Sequence, residues 1–119
     1  MHFRNSFYVL LCVAVPQKPD RPTIVTVRIW SITISYKPPP GVDTSRHIVY
    51  VVQYSKKGQT DMVSLPETTK TTVIITKLQP STQYVIKVAV KYVGGEFGTP
   101  SDPAQAATHP GKCFKTSYR

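Results

Sequence analysis

The chain is poor in the residues from which catalytic and metal sites are built, with 3 histidines, 2 cysteines and 6 acidic residues among 119. His2 and His109 fall near the two ends, and His47 opens a predicted strand. None stands beside a nucleophile, a carboxylate pair or a glycine-rich phosphate loop in a recognised spacing, and with the cysteines they do not make a usual zinc set. The sequence therefore predicts no enzyme, no catalytic residue, no metal and no cofactor.

Two further absences narrow the class of protein. Asn5 is the only asparagine and lacks the Asn-x-Ser/Thr spacing, so N-glycosylation is not expected. From Pro22 onward no stretch has a helical period, and 6 glycines and 11 prolines also argue against a helical bundle. A length of 119 residues fits one domain with its own core.

Acidic residues are too few to balance the basic ones, and the net charge is +9. Much of the excess lies near the two ends. Residues 22–109 hold nine basic and five acidic residues, a balance of +4. A domain that is only mildly basic does not predict nucleic-acid binding.

The longest apolar run, residues 6–15, is too short to cross a bilayer as a helix, so no membrane span is predicted. It suits the apolar region of a secretory signal peptide, with Cys12 and Ala14 as the small residues before cleavage. This interpretation predicts a signal peptide over residues 1–14, a mature chain from Val15, and a secreted or cell-surface location. The alternative is an apolar strand that belongs to an upstream domain.

Alternation of apolar and polar residues, broken by prolines and glycines, predicts seven short strands of an all-β sandwich. Four are clear, over residues 31–37, 47–55, 71–78 and 84–92; shorter ones are expected near residues 23–28, 61–65 and 104–108. The side chains predicted to face the core are Ile32, Ile34, Tyr36, Tyr50, Val52, Tyr54, Val73, Ile75, Leu78, Tyr84, Ile86, Val88 and Val90.

Seven antiparallel strands place the two chain ends at opposite poles of the sandwich. A strand of seven residues spans roughly 23 Å, whereas the Cα atoms of a disulfide lie within about 7 Å. A bridge between Cys12 and Cys113 is therefore not predicted. Without the leader Cys113 stands alone, either idle or linked to a neighbouring chain or domain.

The stretch "LQPSTQY", residues 78–84, puts a large aromatic residue where a strand begins. A tyrosine beside a crossover between sheets can bury its ring while its hydroxyl bonds to upstream backbone, which is a tyrosine corner. In this interpretation Leu78 is buried, Pro80 and Thr82 belong to the bend, and Tyr84 is structural rather than catalytic.

Residues 19–109 resemble a fibronectin type III domain. The resemblance rests on "SITISYKPPP", "YVVQYS", "LQPSTQY", "VAV" and "GGEFGTPSDPAQAAT", in this order and spacing. It implies a seven-stranded antiparallel Greek-key sandwich, with strands A, B and E in one sheet and C′, C, F and G in the other. The corresponding organisation is a linker over residues 15–21, the domain over 22–109, and a basic tail or linker over 110–119.

The sequence departs from the family pattern in its aromatic residues and in one loop. Where the family usually has a tryptophan late in strand B, Tyr36 stands; the only tryptophan, Trp30, lies six residues earlier. We expect Trp30 to cap the core at that pole, the alternative being an exposed aromatic residue for binding. The loop over residues 94–98 reads "GGEFG" and holds no Arg-Gly-Asp, so integrin binding through that triplet is not implied.

Strands C and F carry apolar residues between their inward positions. Because the resemblance makes these strands neighbours, we predict a continuous apolar strip on the outer face, flanked by lysines, as a candidate protein interface. The alternatives are that β-branched residues simply suit strands, or that another part of the chain covers the strip. The residues of this predicted strip and its flanks are Val49, Val51, Val85, Lys87, Ala89 and Lys91.

The loop that carries Glu96 and Phe97 is a second candidate contact. Its three glycines give the backbone freedom, and Phe97 offers an aromatic anchor for a ligand. The alternative is that Phe97 tucks under and covers the core.

These features predict a non-catalytic protein-interaction module of the adhesion or receptor type, with a protein as partner. A second hypothesis is capture of a sulfated glycosaminoglycan such as heparin through Lys56, Lys57, Lys87, Lys91 and the basic tails. A third is a structural spacer from a multidomain protein, extracellular or intracellular.

Overall fold

The structure is a computed structural model that describes residues 15–43 and 45–111. The predicted signal peptide, both cysteines and most of the predicted basic tail lie outside these described residues. Within the described residues, no helix is long and apolar enough to cross a membrane.

Seven strands make up the regular structure of the described chain, and each overlaps one of the seven that alternation predicts. Several strand ends follow from local chemistry: β2 stops before three prolines, and β3 stops before Gly58, whose φ of 91° suits glycine. The strands are β1 (Thr23–Val27), β2 (Ile32–Ser35), β3 (Ile48–Lys56), β4 (Val63–Ser64), β5 (Thr72–Ile75), β6 (Gln83–Tyr92) and β7 (Ala104–Ala107).

The strands form two antiparallel sheets, of three strands in the order β1-β2-β5 and four in the order β4-β3-β6-β7. This confirms the predicted all-β fold and the predicted assignment of three strands to one sheet and four to the other. The longest ladder joins β3 to β6, where Tyr50 is opposite Val90 and Val51 is opposite Ala89.

The core lies between the two sheets and consists of the side chains that alternation places inward. Of the thirteen predicted, eleven are buried together in one cluster. Tyr54 and Val73 are partly buried and pack against that cluster. Burial of this much apolar surface is the main stabilising contribution to the fold.

The tyrosine corner is confirmed. Tyr84 is buried, and its hydroxyl accepts a hydrogen bond of 2.9 Å from the backbone N–H of Gln79, five residues upstream. The turn before it is tight, because Lys77 and Ser81 adopt positive φ angles of 61° and 51°. Leu78 is buried, and the Thr82 hydroxyl donates to the Pro80 carbonyl at 2.9 Å.

Tyr36, which stands where the family usually has tryptophan, is 5% exposed. Its hydroxyl donates a 2.6 Å hydrogen bond to the carbonyl of Lys70, and its ring lies 4.7 Å from that of Tyr50. Burial, and secondarily the charge of Tyr50, raise the pKa of Tyr36 to about 12. Burial also raises the pKa of Tyr50.

The prediction that Trp30 caps the core is wrong, because its side chain is 59% exposed. Its carbonyl accepts the N–H of Leu78 at 2.9 Å, so the backbone is fixed while the ring faces solvent. Buried Leu78 occupies this end of the core instead. The structure therefore agrees with the alternative of an exposed aromatic residue.

The segment predicted as a linker, residues 15–21, lies against the domain. Pro16 and Pro19 are buried, and Lys18 makes a 2.7 Å ion pair with Asp102. The hydrogen bond and charge of Lys18 lower the pKa of Asp102. Arg21 donates to the carbonyl of Pro103 at 3.0 Å, so the segment lies beside the residues that precede β7.

Candidate protein interface

The predicted apolar strip is not continuous in the structure. The register places Val51 opposite Ala89, but the next outward pair toward the end of β3 is Gln53 and Lys87. Val85 lies beyond that polar pair, opposite Ser55. The strip is therefore divided, and Val85 is separated from its predicted neighbours.

The centre of the strip is also not exposed as predicted, because Val51 and Ala89 are 7% and 4% exposed. Two segments rise on either side of these residues and cover them, which was the alternative left open by the sequence. The first segment is 64–67 and the second is 97–100. The result is a groove of about 500 Å³, which we call the outer groove.

The first wall of the outer groove continues from β4. Leu65 donates its N–H to the carbonyl of Val52 at 2.9 Å, which holds the wall beside β3. The side chain of Gln53 also donates to the hydroxyl of Ser64 at 3.2 Å. Pro66 and Glu67 follow and complete this side.

The second wall is held beside β6 before β7 begins. Gly98 donates its N–H to the carbonyl of Val90 at 3.1 Å, and Ser101 donates its N–H to the carbonyl of Val88 at 2.8 Å. The Ser101 hydroxyl accepts the N–H of Val88 at 3.0 Å. Gly98 is required here, because a Cβ at this position would overlap the carbonyl oxygen of Pro16.

Lys91 joins the two walls. Its Nζ lies 2.9 Å from Oε2 of Glu67 and 4.9 Å from the centre of the Phe97 ring. Lys91 is opposite Val49 in the ladder, at one end of the outer groove. Predicted as a flank of a flat strip, it instead links an acidic residue and an aromatic residue across the groove.

Phe97 is 39% exposed and lines the outer groove, so it does not cover the inner core. Glu96, its neighbour in the predicted loop contact, is exposed. Because Phe97 is held by Lys91 yet keeps part of its surface in solvent, it has the character of an anchoring aromatic residue.

The lysines proposed for a sulfated polysaccharide do not form one patch in the structure. Lys56 is opposite Tyr84, Lys87 is opposite Gln53, and Lys91 is opposite Val49. They are spread along the β3–β6 ladder, Lys91 is paired with Glu67, and the Lys56 ammonium donates to Gln79 at 2.7 Å.

Sequence reasoning missed the walls of the outer groove, including Pro66, Glu67 and Pro100. These residues lie in irregular segments, where no alternation indicates which way a side chain points. The prolines and the loop glycines near Phe97 do indicate irregular segments. They do not indicate that these segments contact β3 and β6.

The family model described as the fibronectin type III domain matches residues 17–107. The chain belongs to the fibronectin type III family. Its fold, tyrosine corner and sheet order are thus those of a fibronectin type III domain, with Tyr36 in place of the usual tryptophan.

Solved structures show the same fold at low sequence identity. The fibronectin type III domain of human fibronectin type III domain containing protein 3 is 19% identical, with a TM-score of 0.73 over 82% of this chain and 89% of that one. Titin domains A168–A170 give 20% identity and a TM-score of 0.72, over 82% of this chain but 33% of that one. No curated protein matches the chain.

The kinase region of twitchin from C. elegans is also similar, at 18% identity and a TM-score of 0.72. The match covers 86% of this chain and 18% of the twitchin chain. At these identities the likeness concerns the fold alone. A fibronectin type III domain of this kind is a protein-interaction or spacer module, and such domains are generally non-catalytic.

Proposed function

We propose that this fibronectin type III domain is an extracellular interaction module of the adhesion or receptor type, and that it binds a partner protein at the outer groove. The observation that carries the proposal is the groove itself. Val51 and Ala89 form an apolar floor, and a partly exposed Phe97 stands on one wall.

The chemistry of the outer groove suits a protein surface. Apolar groups with an aromatic anchor at the centre and polar groups at the rim are the usual arrangement of an interface. Here the rim carries Glu67 and Lys91, already paired, so a partner would meet little uncompensated charge. An apolar side chain of the partner that enters the groove would contact Phe97.

Photo-crosslinking tests this proposal and needs no purified partner. A benzophenone amino acid replaces Phe97 in the full chain, in cells that secrete it, and the control carries the same group at Val25 on β1. Val25 is 55% exposed, so both positions are accessible to solvent. We expect a discrete crosslinked protein at position 97 and none at position 25.

The partner identified in this way is then purified for affinity measurements. Phe97→Ala should weaken binding at least tenfold, because an aromatic anchor is lost. Val85→Thr should change it little, because Val85 lies outside the outer groove. Equal crosslinking at both positions, or equal effects of the two substitutions, would contradict the proposal.

The extracellular part of the proposal rests on the apolar run before Val15. Secretion from a cultured cell should release a chain that begins at Val15, as read by N-terminal sequencing. A chain in the medium that still begins at Met1 would contradict cleavage at Ala14.

A second candidate function is that of a spacer, favoured by where the described residues begin and end on the domain. Pro16 lies beside Gly98, in the loop between β6 and β7, whereas Gly111 lies beside Pro80 in the turn before β6, at the opposite pole. A domain placed between two reporter proteins should then hold them at one separation. Small-angle X-ray scattering would show this, and a broad distribution of separations would contradict it.

A further inference from the structure

The exposed edge of β5 differs from the other edges of the two sheets. β1 carries a bulge between Ile24 and Thr26, β7 packs against β1, and β4 has only two residues. Bulges, covering strands and short length are devices that prevent another strand from pairing with an edge. β5 has a regular register of four residues with β2, and its Ile74 is 59% exposed.

The register shows which backbone groups of β5 face this edge. Tyr36 donates its N–H to the carbonyl of Thr71 at 2.9 Å, which makes residues 36 and 71 a hydrogen-bonded pair. Hydrogen-bonded pairs alternate along an antiparallel ladder. The backbone groups of Val73 and Ile75 therefore point to β2, whereas those of Thr72 and Ile74 point away from it.

A cleft of about 420 Å³ runs beside the same edge, and we call it the lateral groove. Its walls are β5 and the segment 65–70, which lies beside β3 through the bridge between Tyr50 and Thr68. Val52 lies at its base, with Leu65 and Val73 on its sides. Lys70 lines one end.

Among residues 15–43 and 45–111, no strand pairs with the outer edge of β5. We propose that this edge is a docking site for an extended segment of a partner protein. The segment adds as a strand and bonds to the backbone of Thr72 and Ile74. Alternate apolar side chains enter the lateral groove, and a carboxylate lies near Lys70. Backbone bonds for affinity and side-chain pockets for selectivity are the two components of recognition by strand addition.

Charge favours an acidic partner over a second copy of this chain. Lys70 and Lys77 lie just outside the two ends of β5, and neither makes an ion pair with a carboxylate among residues 15–43 and 45–111. An antiparallel pair of two β5 strands would bring Lys70 of one copy near Lys77 of the other. Like charges so placed oppose self-association.

The test uses the full chain and a synthetic peptide of alternating threonine and valine, with two glutamates at each end. Hydrogen exchange of the backbone amides is followed by NMR. We expect the peptide to slow exchange at Thr72 and Ile74 at least tenfold and to leave Ala89, in the outer groove, unchanged. Binding without slowing at Thr72 and Ile74 would overturn the proposal, as would no binding.

Two substitutions at one position separate the backbone from the side chain. Ile74→Pro removes the N–H that faces the edge, at a position where proline is tolerated because that N–H does not bond to β2. Ile74→Thr keeps the N–H and changes only the side chain. We expect binding at least tenfold weaker for the proline variant and within about threefold of wild type for the threonine variant; equal affinities would overturn the proposal.

A charge exchange gives a test that does not depend on the proline variant folding. Lys70→Glu should weaken binding of the glutamate peptide and strengthen binding of a matched peptide that ends in lysines. An unchanged preference would overturn the role of Lys70.

The same exchange measurement on the unbound protein identifies the occupant. Amides of Thr72 and Ile74 that are already protected in the free chain would show that a second copy or residues 1–14 occupy the edge. A chain that starts at Val15 and sedimentation at several concentrations distinguish those two outcomes. Either one would overturn a partner protein as the occupant.

Discussion

The two faces of the four-stranded sheet are buried for different reasons. On the inner face, the core residues of β3 and β6 are alternate ones, as the period of a strand requires. On the outer face, Val51 and Ala89 are nearly as buried, although alternation predicts them in solvent. The inner face thus follows from local sequence, whereas the outer face depends on the distant segments 64–67 and 97–100.

The two faces also differ in the forces that hold them. The inner face is held by apolar contact between two sheets. The walls of the outer groove are joined at one end by the contacts of Lys91 with Glu67 and Phe97. Contacts of this kind are weak and sensitive to salt, so the link between the two walls should respond to salt that leaves the inner face unchanged.

The largest expected effect comes from removing side-chain volume on each face. Ile86→Ala, at a residue with no exposed surface, should lower the free energy of unfolding by about 2–5 kcal/mol because it leaves a cavity in the core. Val51→Ala should cost only about 1–2 kcal/mol, because it removes two carbons rather than three and, next to a groove, leaves no closed cavity. Urea denaturation measures both.

Equal losses of unfolding free energy for Ile86→Ala and Val51→Ala would contradict this difference between the two faces. They would mean that the outer groove is packed like the interior. Ile74→Ala, at an exposed residue, is the control and should change stability by less than about 0.5 kcal/mol.

Alkaline pH should destabilise the inner face, because that face carries the buried tyrosines. The folded-state pKa of Tyr36, about 12, exceeds its ordinary value of 10.0, so the folded protein binds the proton more tightly than the unfolded chain does. This contribution is fully present below pH 10 and is lost as the pH rises from 10 to 12. Stability should fall by at most about 1.4 kcal/mol per pH unit for this group.

The matched variant for the alkaline prediction is Tyr36→Phe. It loses the hydrogen bond to the Lys70 carbonyl, so it should be less stable at neutral pH, yet its stability should decline less between pH 10 and 12. Denaturation at a series of pH values measures the two slopes, and parallel slopes would show that Tyr36 does not titrate in that range.

The tyrosine corner gives a smaller effect on the inner face. Tyr84→Phe should destabilise the fold by about 1 kcal/mol or more, because the N–H of Gln79 loses its partner. The sequence predicted a bond from this hydroxyl to upstream backbone, and in the structure the backbone group is the donor.

Tyr54→Phe is the control for that substitution. The Tyr54 ring lies 6.2 Å from the ring of Tyr84, and its hydroxyl has no hydrogen bond with another described residue. Thermal unfolding should therefore give a midpoint close to that of the unmodified chain. A loss as large as that of Tyr84→Phe would show that the hydroxyl in the corner has no special role.

Most of the fold could be predicted from the sequence, and particular residues show why the rest could not. Ile34, Ile86 and Val88 were predictable because a strand has a fixed period of two and the core needs one face of it. Trp30 and Phe97 were not, because each lies in an irregular segment. Their exposure depends on the path of the backbone in three dimensions.

The prediction of a continuous, exposed apolar strip on the outer face was wrong for a related reason. Alternation correctly placed Val51 and Ala89 opposite the core side, and the register then paired them. It could not indicate that Glu67 and Phe97 return over them, because those contacts join residues that are far apart in the sequence. The separation of Val85 from Val51 and Ala89 likewise depends on the exact pairing of β3 with β6, which the sequence does not give.

The smallest expected effect concerns the contact that joins the groove walls. A double-mutant cycle of Lys91→Met and Glu67→Gln should give a coupling of about 0.2–1 kcal/mol at low salt, since both side chains keep some exposure. The coupling should decline in 1 M salt, where charges are screened. A coupling that does not change with salt would contradict an electrostatic link.

The burial of the outer face can be measured directly by NMR with a neutral, soluble gadolinium chelate, which broadens the signals of exposed methyl groups. We expect the methyl groups of Val51 and Ala89 to be protected nearly as well as those of Ile86, and the signals of the Ile74 methyl groups to be strongly broadened. Broadening at Val51 and Ala89 equal to that at Ile74 would contradict this expectation, because the outer face would then be an open strip without walls.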